Sequence, residues 1–131
     1  MATEAIHAGE VHDASGSHIA PIYQTSTFTF PDMAAVEARA AGESDSYMYS
    51  RGGNPGRTAL AAKLAALEGR GVEGVSAEIF ASGMAAIAAA LMGTSKAGDH
   101  IITQRVLYGS ADHLISDVLT QFGVGNSRIA G

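Results

Sequence analysis

From residue 77 onward the chain switches between two hydrophobic periods, and that alternation restricts its fold more than any other feature. Ala77 to Ala81 reads as a short buried strand, Ser82-Gly83 interrupts it, and Met84 to Met92 is apolar all round. A helix apolar on every face is expected to be buried. Gly93 to Asp99 reads as a turn and His100 to Gln104 as a second strand. Ser110 is placed to cap a last helix in which Leu114, Ile115, Val118, Leu119 and Phe122 share a face, with Gly123 closing it. Strand, helix, strand, helix is the pattern of an α/β domain with a parallel sheet covered by helices. No third strand is expected before Gly131.

The upstream half is organised differently. Residues 1 to 30 carry little helical periodicity, and Ile19 to Phe30 is rich in β-branched and aromatic types, holds Pro21 and ends at Pro31. Such residues favour extended backbone while proline interrupts a central ladder, so this stretch reads as an extended arm lying on another surface, often a second subunit. Asp32 is placed to cap a short helix through about Ala41 that stops near Gly42. A polar, glycine-punctuated loop follows to Pro55. Leu60, Leu64 and Leu67 then form one apolar stripe of a helix ended by Gly69.

Composition narrows the chemistry. The 131 residues are 47% hydrophobic with a net charge of -5 and no basic run, which argues against a nucleic-acid surface. There are no cysteines, so disulfides, thiolate metal sites and cysteine nucleophiles are excluded. The five histidines lack metal-ligand spacing, and neither a Gly-x-Ser-x-Gly elbow nor a P-loop is present. The N-terminus has no basic region followed by an apolar core, and Met84 to Met92 is too short to span a bilayer, so the expected location is cytoplasmic, with no membrane partner.

Three stretches could together seat a phosphorylated planar ligand. Ser82-Gly83-Met84 lies at a strand-to-helix junction, where the first helical amides lack internal partners and the helix dipole is positive. Tyr49 and Arg51 flank Ser50, and in extended backbone both would point the same way, offering a phenol and a guanidinium to one phosphate. Tyr108 follows the second strand, on the side where open parallel sheets bind ligands, and its ring could stack on a planar group. Each also has a plain structural reading: a capped tight turn, a surface arginine beside a half-buried tyrosine, and ordinary aromatic packing.

The ordered set of motifs resembles the N-terminal third of the Cys/Met-metabolism enzymes that depend on pyridoxal 5'-phosphate, namely cystathionine γ-synthase, cystathionine γ-lyase, methionine γ-lyase and O-acetylhomoserine sulfhydrylase. The likeness runs through Ala5-Ile6-His7-Ala8-Gly9, Pro21 to Phe28, Tyr49-Ser50-Arg51 with Asn54-Pro55, Ala65 to Gly69, Ser82 to Ile87, and Gly98-Asp99-His100 through Leu107-Tyr108-Gly109. It implies a fold-type-I, transferase-like architecture: an N-terminal arm and inter-subunit loop over 1–55, then the incomplete start of the large, mostly parallel-sheet domain over 56–131. It further implies that Ser82, Gly83 and Met84 bind the cofactor phosphate through backbone amides. Tyr108 is implied to be the catalytic-site residue that stacks on the pyridine ring. Tyr49 and Arg51 are implied to reach the phosphate of a neighbouring subunit's cofactor in a homotetramer. Substrates implied are sulfur-containing amino acids or activated homoserine esters, in γ-elimination or γ-replacement.

Four departures accompany the likeness. Gly56 stands where the family has threonine, which is expected to cost the following helix a cap. Ser110 stands where glycine or cysteine is usual, and Gly125 to Gly131 does not resemble the family's next strand. The family's Schiff-base lysine and the aspartate that pairs with the pyridine nitrogen have no counterpart among these residues. Lys63 and Lys96 are expected on a helix and in a turn. The isolated chain is therefore expected to be inactive, the alternative role being a non-catalytic truncated subunit that associates with a full-length paralogue.

Overall fold

The computed structural model describes residues 2–130. The chain divides into two compact units, Met1–Ile79 and Phe80–Gly131.

The first unit is helical with extended connections. A short α1 (Ala2–His7), which the sequence pattern does not suggest, is followed by an irregular stretch to Phe30. The arm forms no helix or strand of its own, and its Ile19 and Ile22 are 81% and 86% exposed. Its end is pinned, because Thr27 bridges antiparallel to Tyr49 and the amides of Phe28 and Ser50 donate to the carbonyls of Met48 and Ser26. Helix α2 (Met33–Ala40) begins at Asp32, whose carboxylate accepts from the Ala35 amide at 2.8 Å.

Helix α3 (Pro55–Glu68) begins at Asn54 and ends at Gly69. The expected loss of a cap at Gly56 does not occur. Asn54 supplies the cap itself, its Oδ1 accepting from the Gly56 amide at 3.0 Å, so the residue after Asn-Pro need not. Proline at the first helical position gives up only an amide that would lack an intrahelical partner anyway. Lys63 Nζ, on α3, donates to the Ile6 carbonyl of α1 at 3.1 Å.

The second unit is a two-stranded parallel sheet with helical connections. Helix α4 (Gly83–Thr94) leads through a turn over Ser95–Asp99 into β1 (His100–Gln104). Then α5 (Gly109–His113) continues through a π-helical segment (Leu114–Val118) into a last turn, α6 (Leu119–Gln121), and β2 (Gly125–Ile129). The strands pair parallel in the register His100–Gly125, Ile102–Ser127 and Gln104–Ile129. The wide turn at Leu114–Val118 is stabilised by side chains, with Thr120 Oγ1 donating to the Ser116 carbonyl at 2.6 Å and Asn126 Nδ2 to the Ile115 carbonyl at 3.4 Å.

Four expectations fail here. Gly125 to Gly131 is a strand over Gly125–Ile129 despite its polar sequence, because β1 offers a complete ladder edge. Ala77 to Ala81 is irregular, since a strand requires a partner and none of the described residues pairs with it. Helix α4 has no buried residue, for the described residues do not enclose its apolar faces. Ser110 is not the cap: α5 starts one residue earlier, after Tyr108, with no side-chain cap. The core of this unit is Ala111, Ile115, Leu119 and Val124, whereas Phe122 is exposed where the chain turns away through Gly123 at φ +78°.

Candidate functional site

In the first unit, the segment from Tyr47 to Gly53 lines an open groove of about 910 Å³, together with Arg39, Arg57, Thr58 and Glu78. Tyr47 packs against Phe28, ring centroids 5.4 Å apart, which fixes the upstream side of the loop to the arm. Tyr49 and Arg51 do come together, but not as alternate residues of extended backbone. The amides of Gly52 and Gly53 both donate to the Tyr49 carbonyl, at 2.9 and 3.2 Å, closing a turn directly after Tyr49. That turn folds Arg51 back, so its guanidinium carbon lies 5.6 Å from the centroid of the Tyr49 ring. A cation over an aromatic face at this distance is attracted by the ring quadrupole.

The three arginines of the groove are used differently. Arg39 Nε donates to the Ser46 carbonyl at 2.6 Å. Arg57 donates through Nη2 to the Gly52 carbonyl at 2.9 Å and through Nη1 to the Arg51 carbonyl at 3.4 Å. Arg51 is exposed and its guanidinium makes no hydrogen bond to the described residues, so its full fork of donors is available to an anion. Tyr49 and Arg51 stand out in the sequence, whereas Arg39 and Arg57 do not.

In the second unit, Ser82 caps α4, its Oγ accepting from the Ala85 amide at 3.1 Å and its carbonyl from the Ala86 amide at 3.1 Å. Gly83 and Met84 therefore occupy the first helical positions, whose amides have no intrahelical acceptor and point outward. A Cβ built on Gly83 would meet nothing within 4 Å, so the approach to these amides is open. Tyr108 follows the carboxyl end of β1 and is 66% exposed. Helix α4 and β1 are joined by a short turn. A cavity of about 380 Å³ lies at the turn between α4 and β1, beside Leu91, Ser95, Asp99 and His100.

Taken separately, each unit offers donors suited to part of a phosphorylated aromatic group: the first a guanidinium with a phenol beside it, the second open helix amides and an exposed ring. A covalent partner for a carbonyl group is not evident in these surroundings. Lys63 is spent on the Ile6 carbonyl, and Lys96 Nζ pairs with Asp99 Oδ1 at 2.9 Å. The carboxylates held below their usual range serve local structure. Asp99 is lowered by the Lys96 side chain and amide, Glu10 by the His7 ring, and Asp13 by the Ser17 amide. Asp112, on α5, pairs with Arg128 of β2. Among the described residues no group of histidines and carboxylates could hold a metal ion.

Comparison with known proteins points to the pyridoxal-phosphate-dependent enzymes. The family model for the Cys/Met metabolism PLP-dependent enzymes matches residues 2–130. Among curated relatives, the L-methionine γ-lyase of Porphyromonas gingivalis is 44% identical over 124 residues, covering 95% of this chain and 30% of its own length. The cystathionine γ-synthase of Mycobacterium leprae is 42% identical over 125 residues, covering 95% and 29%. A Campylobacter jejuni structure assigned as an O-acetylhomoserine (thiol)-lyase superposes with a TM-score of 0.85 at 32% identity, covering 98% of this chain and 30% of that one. That structure carries N'-pyridoxyl-lysine-5'-monophosphate. The chain thus spans about 30% of the length of the relatives it matches. With the match running from residue 2 to residue 130, this chain belongs to the Cys/Met metabolism family of pyridoxal-phosphate-dependent enzymes.

Proposed function

We propose that this chain forms the N-terminal arm and inter-subunit loop (1–55) and the start of the cofactor-binding domain (56–131) of an enzyme of sulfur amino-acid metabolism. Its reaction class is γ-elimination or γ-replacement at cystathionine, methionine or an O-acyl-homoserine. The observation that carries the reading is the Arg51 side chain, exposed in the groove, folded over Tyr49 and with its guanidinium free of hydrogen bonds to the described residues. A guanidinium left unspent beside a phenol is what recognition of a phosphate dianion requires.

The residues divide by role. Gly83 and Met84 would hold the phosphate of the subunit's own cofactor through their amides, with Ser82 fixing the turn, and the Tyr108 ring would lie on the pyridine face. Tyr49 and Arg51 would hold the phosphate of a neighbouring subunit's cofactor in a homo-oligomer. Bound pyridoxal phosphate supplies an electron sink for charge developing at the substrate Cα. This segment contributes binding and orientation and not the reactive amine, since Lys63 and Lys96 are both engaged elsewhere. The proposed location is the cytoplasm. No helix among the described residues is long and apolar enough to cross a membrane.

The test is titration of the apo form of the complete gene product with pyridoxal 5'-phosphate and with pyridoxal. A clear preference for the phosphorylated form that falls in R51A and in G83A supports the reading. Equal affinity for the two ligands, or a preference untouched by both substitutions, refutes it. The 131-residue chain alone is expected to release no keto acid from L-methionine or L-cystathionine, measured with the cofactor supplied.

A further inference from the structure

We propose that Arg57 is a positioning residue for the phosphate seat: it does not bind the phosphate, but holds the turn that presents Arg51. The inference rests on the reading of the Tyr49–Gly53 turn as a phosphate seat. Two glycine amides converge on the single Tyr49 carbonyl, so the turn closes at its start while the carbonyls of Arg51 and Gly52 receive no backbone donor. The Arg57 fork supplies both, at 3.4 and 2.9 Å. Without it, a turn carrying two adjacent glycines would keep little beyond the Tyr49 contacts to fix its far side.

Arg57 is suited to this by where it stands. It lies in the first turn of α3, where the Asn54 cap and Pro55 fix the backbone, and Pro55 is buried. Asn54 also donates through Nδ2 to the Tyr23 carbonyl at 3.0 Å, so the base of the fork is tied to the arm. The guanidinium thus reaches back from a rigid element onto a flexible one. Its planar donors can bridge two successive carbonyls, which the single ammonium of lysine cannot do in the same geometry. At the opposite end of the loop Arg39 makes one bond, to Ser46, so the hold nearest Arg51 belongs to Arg57.

The experiment measures the affinities of the complete apo gene product for pyridoxal 5'-phosphate and pyridoxal in wild type, R51A, R57Q, R57K and R51A/R57Q. If Arg57 positions Arg51, R57Q weakens binding of the phosphorylated ligand by about tenfold and leaves pyridoxal unchanged. R57K, which keeps the charge without the bridge, loses nearly as much, and R51A/R57Q is no worse than R51A. Wild-type affinity in R57K would assign the effect to charge alone and overturn the proposal. So would parallel losses for both ligands, or additive losses in the double variant. If R51A itself does not change the preference for the phosphorylated ligand, the phosphate-seat reading fails first. If R51A does and R57Q does not, only the positioning role fails.

Discussion

Replacing Asn54 should uncouple two contributions that meet in one side chain. Its Oδ1 caps α3 by accepting from the Gly56 amide at 3.0 Å, and its Nδ2 donates to the Tyr23 carbonyl at 3.0 Å. Loss of an N-cap costs about 1 kcal/mol. Loss of a part-buried hydrogen bond costs about 1 kcal/mol more. N54A is therefore expected to lower stability by about 2 kcal/mol, or a midpoint shift on the order of 10 °C for a unit of this size. N54D keeps the capping oxygen but turns the other position from donor to acceptor against a carbonyl, so it should lose roughly the Tyr23 contribution of about 1 kcal/mol. Urea unfolding followed by circular dichroism gives the totals, and hydrogen exchange at the first amides of α3 assigns them to this helix. The reasoning is refuted if N54D is as damaging as N54A, or if N54A lies within about 0.5 kcal/mol of wild type, the range of an ordinary surface change.

Other expectations are as direct. Gly83 has open space where a Cβ would go, so G83A should leave the melting temperature nearly unchanged while weakening pyridoxal 5'-phosphate binding by at least about tenfold; a proportionate loss of stability would sink this. Gly9 has φ +71° and its backbone lies against the Ala59 carbonyl, so G9A should destabilise the packing of the N-terminal segment on α3 by about 2 kcal/mol. Faster hydrogen exchange near Lys63 would report it, and unaltered exchange would contradict it. Asp99 is held below its usual range by the Lys96 side chain and amide. Its contribution is therefore present above the ordinary aspartate pKa and lost as pH falls through the lowered one. Melting temperatures of wild type and D99N should differ near neutrality and converge in acid, and parallel curves would disprove the linkage.

Much of the candidate site is legible in the chain because its parts are local. The Ser82 cap with Gly83 and Met84 behind it needs only a hydroxyl three residues from an amide, and Tyr108 needs only to follow β1. Arg39 and Arg57 were not legible as part of the groove. Their partners are carbonyls at Ser46, Arg51 and Gly52, and any backbone offers carbonyls, so no residue type marks the match. The meeting of Arg51 with Tyr49 was anticipated for the wrong reason, since a tight turn and not an extended strand brings them together.

The sequence by itself determined most of the helix limits: Asp32 as a cap, Gly69 and Gly123 as stops, and Ser82 opening the apolar helix, while the Asn54 cap emerged only in the structure. These signals act over three or four residues, where backbone geometry and one side chain settle the outcome. Only the tertiary structure decided which segments became strands. The polar stretch Gly125–Ile129 pairs with β1, while the Ala77–Ala81 stretch, a strand on its residue pattern, pairs with nothing described. A strand is completed by hydrogen bonds to a distant segment, so whether its amides and carbonyls find a ladder depends on what the fold brings alongside.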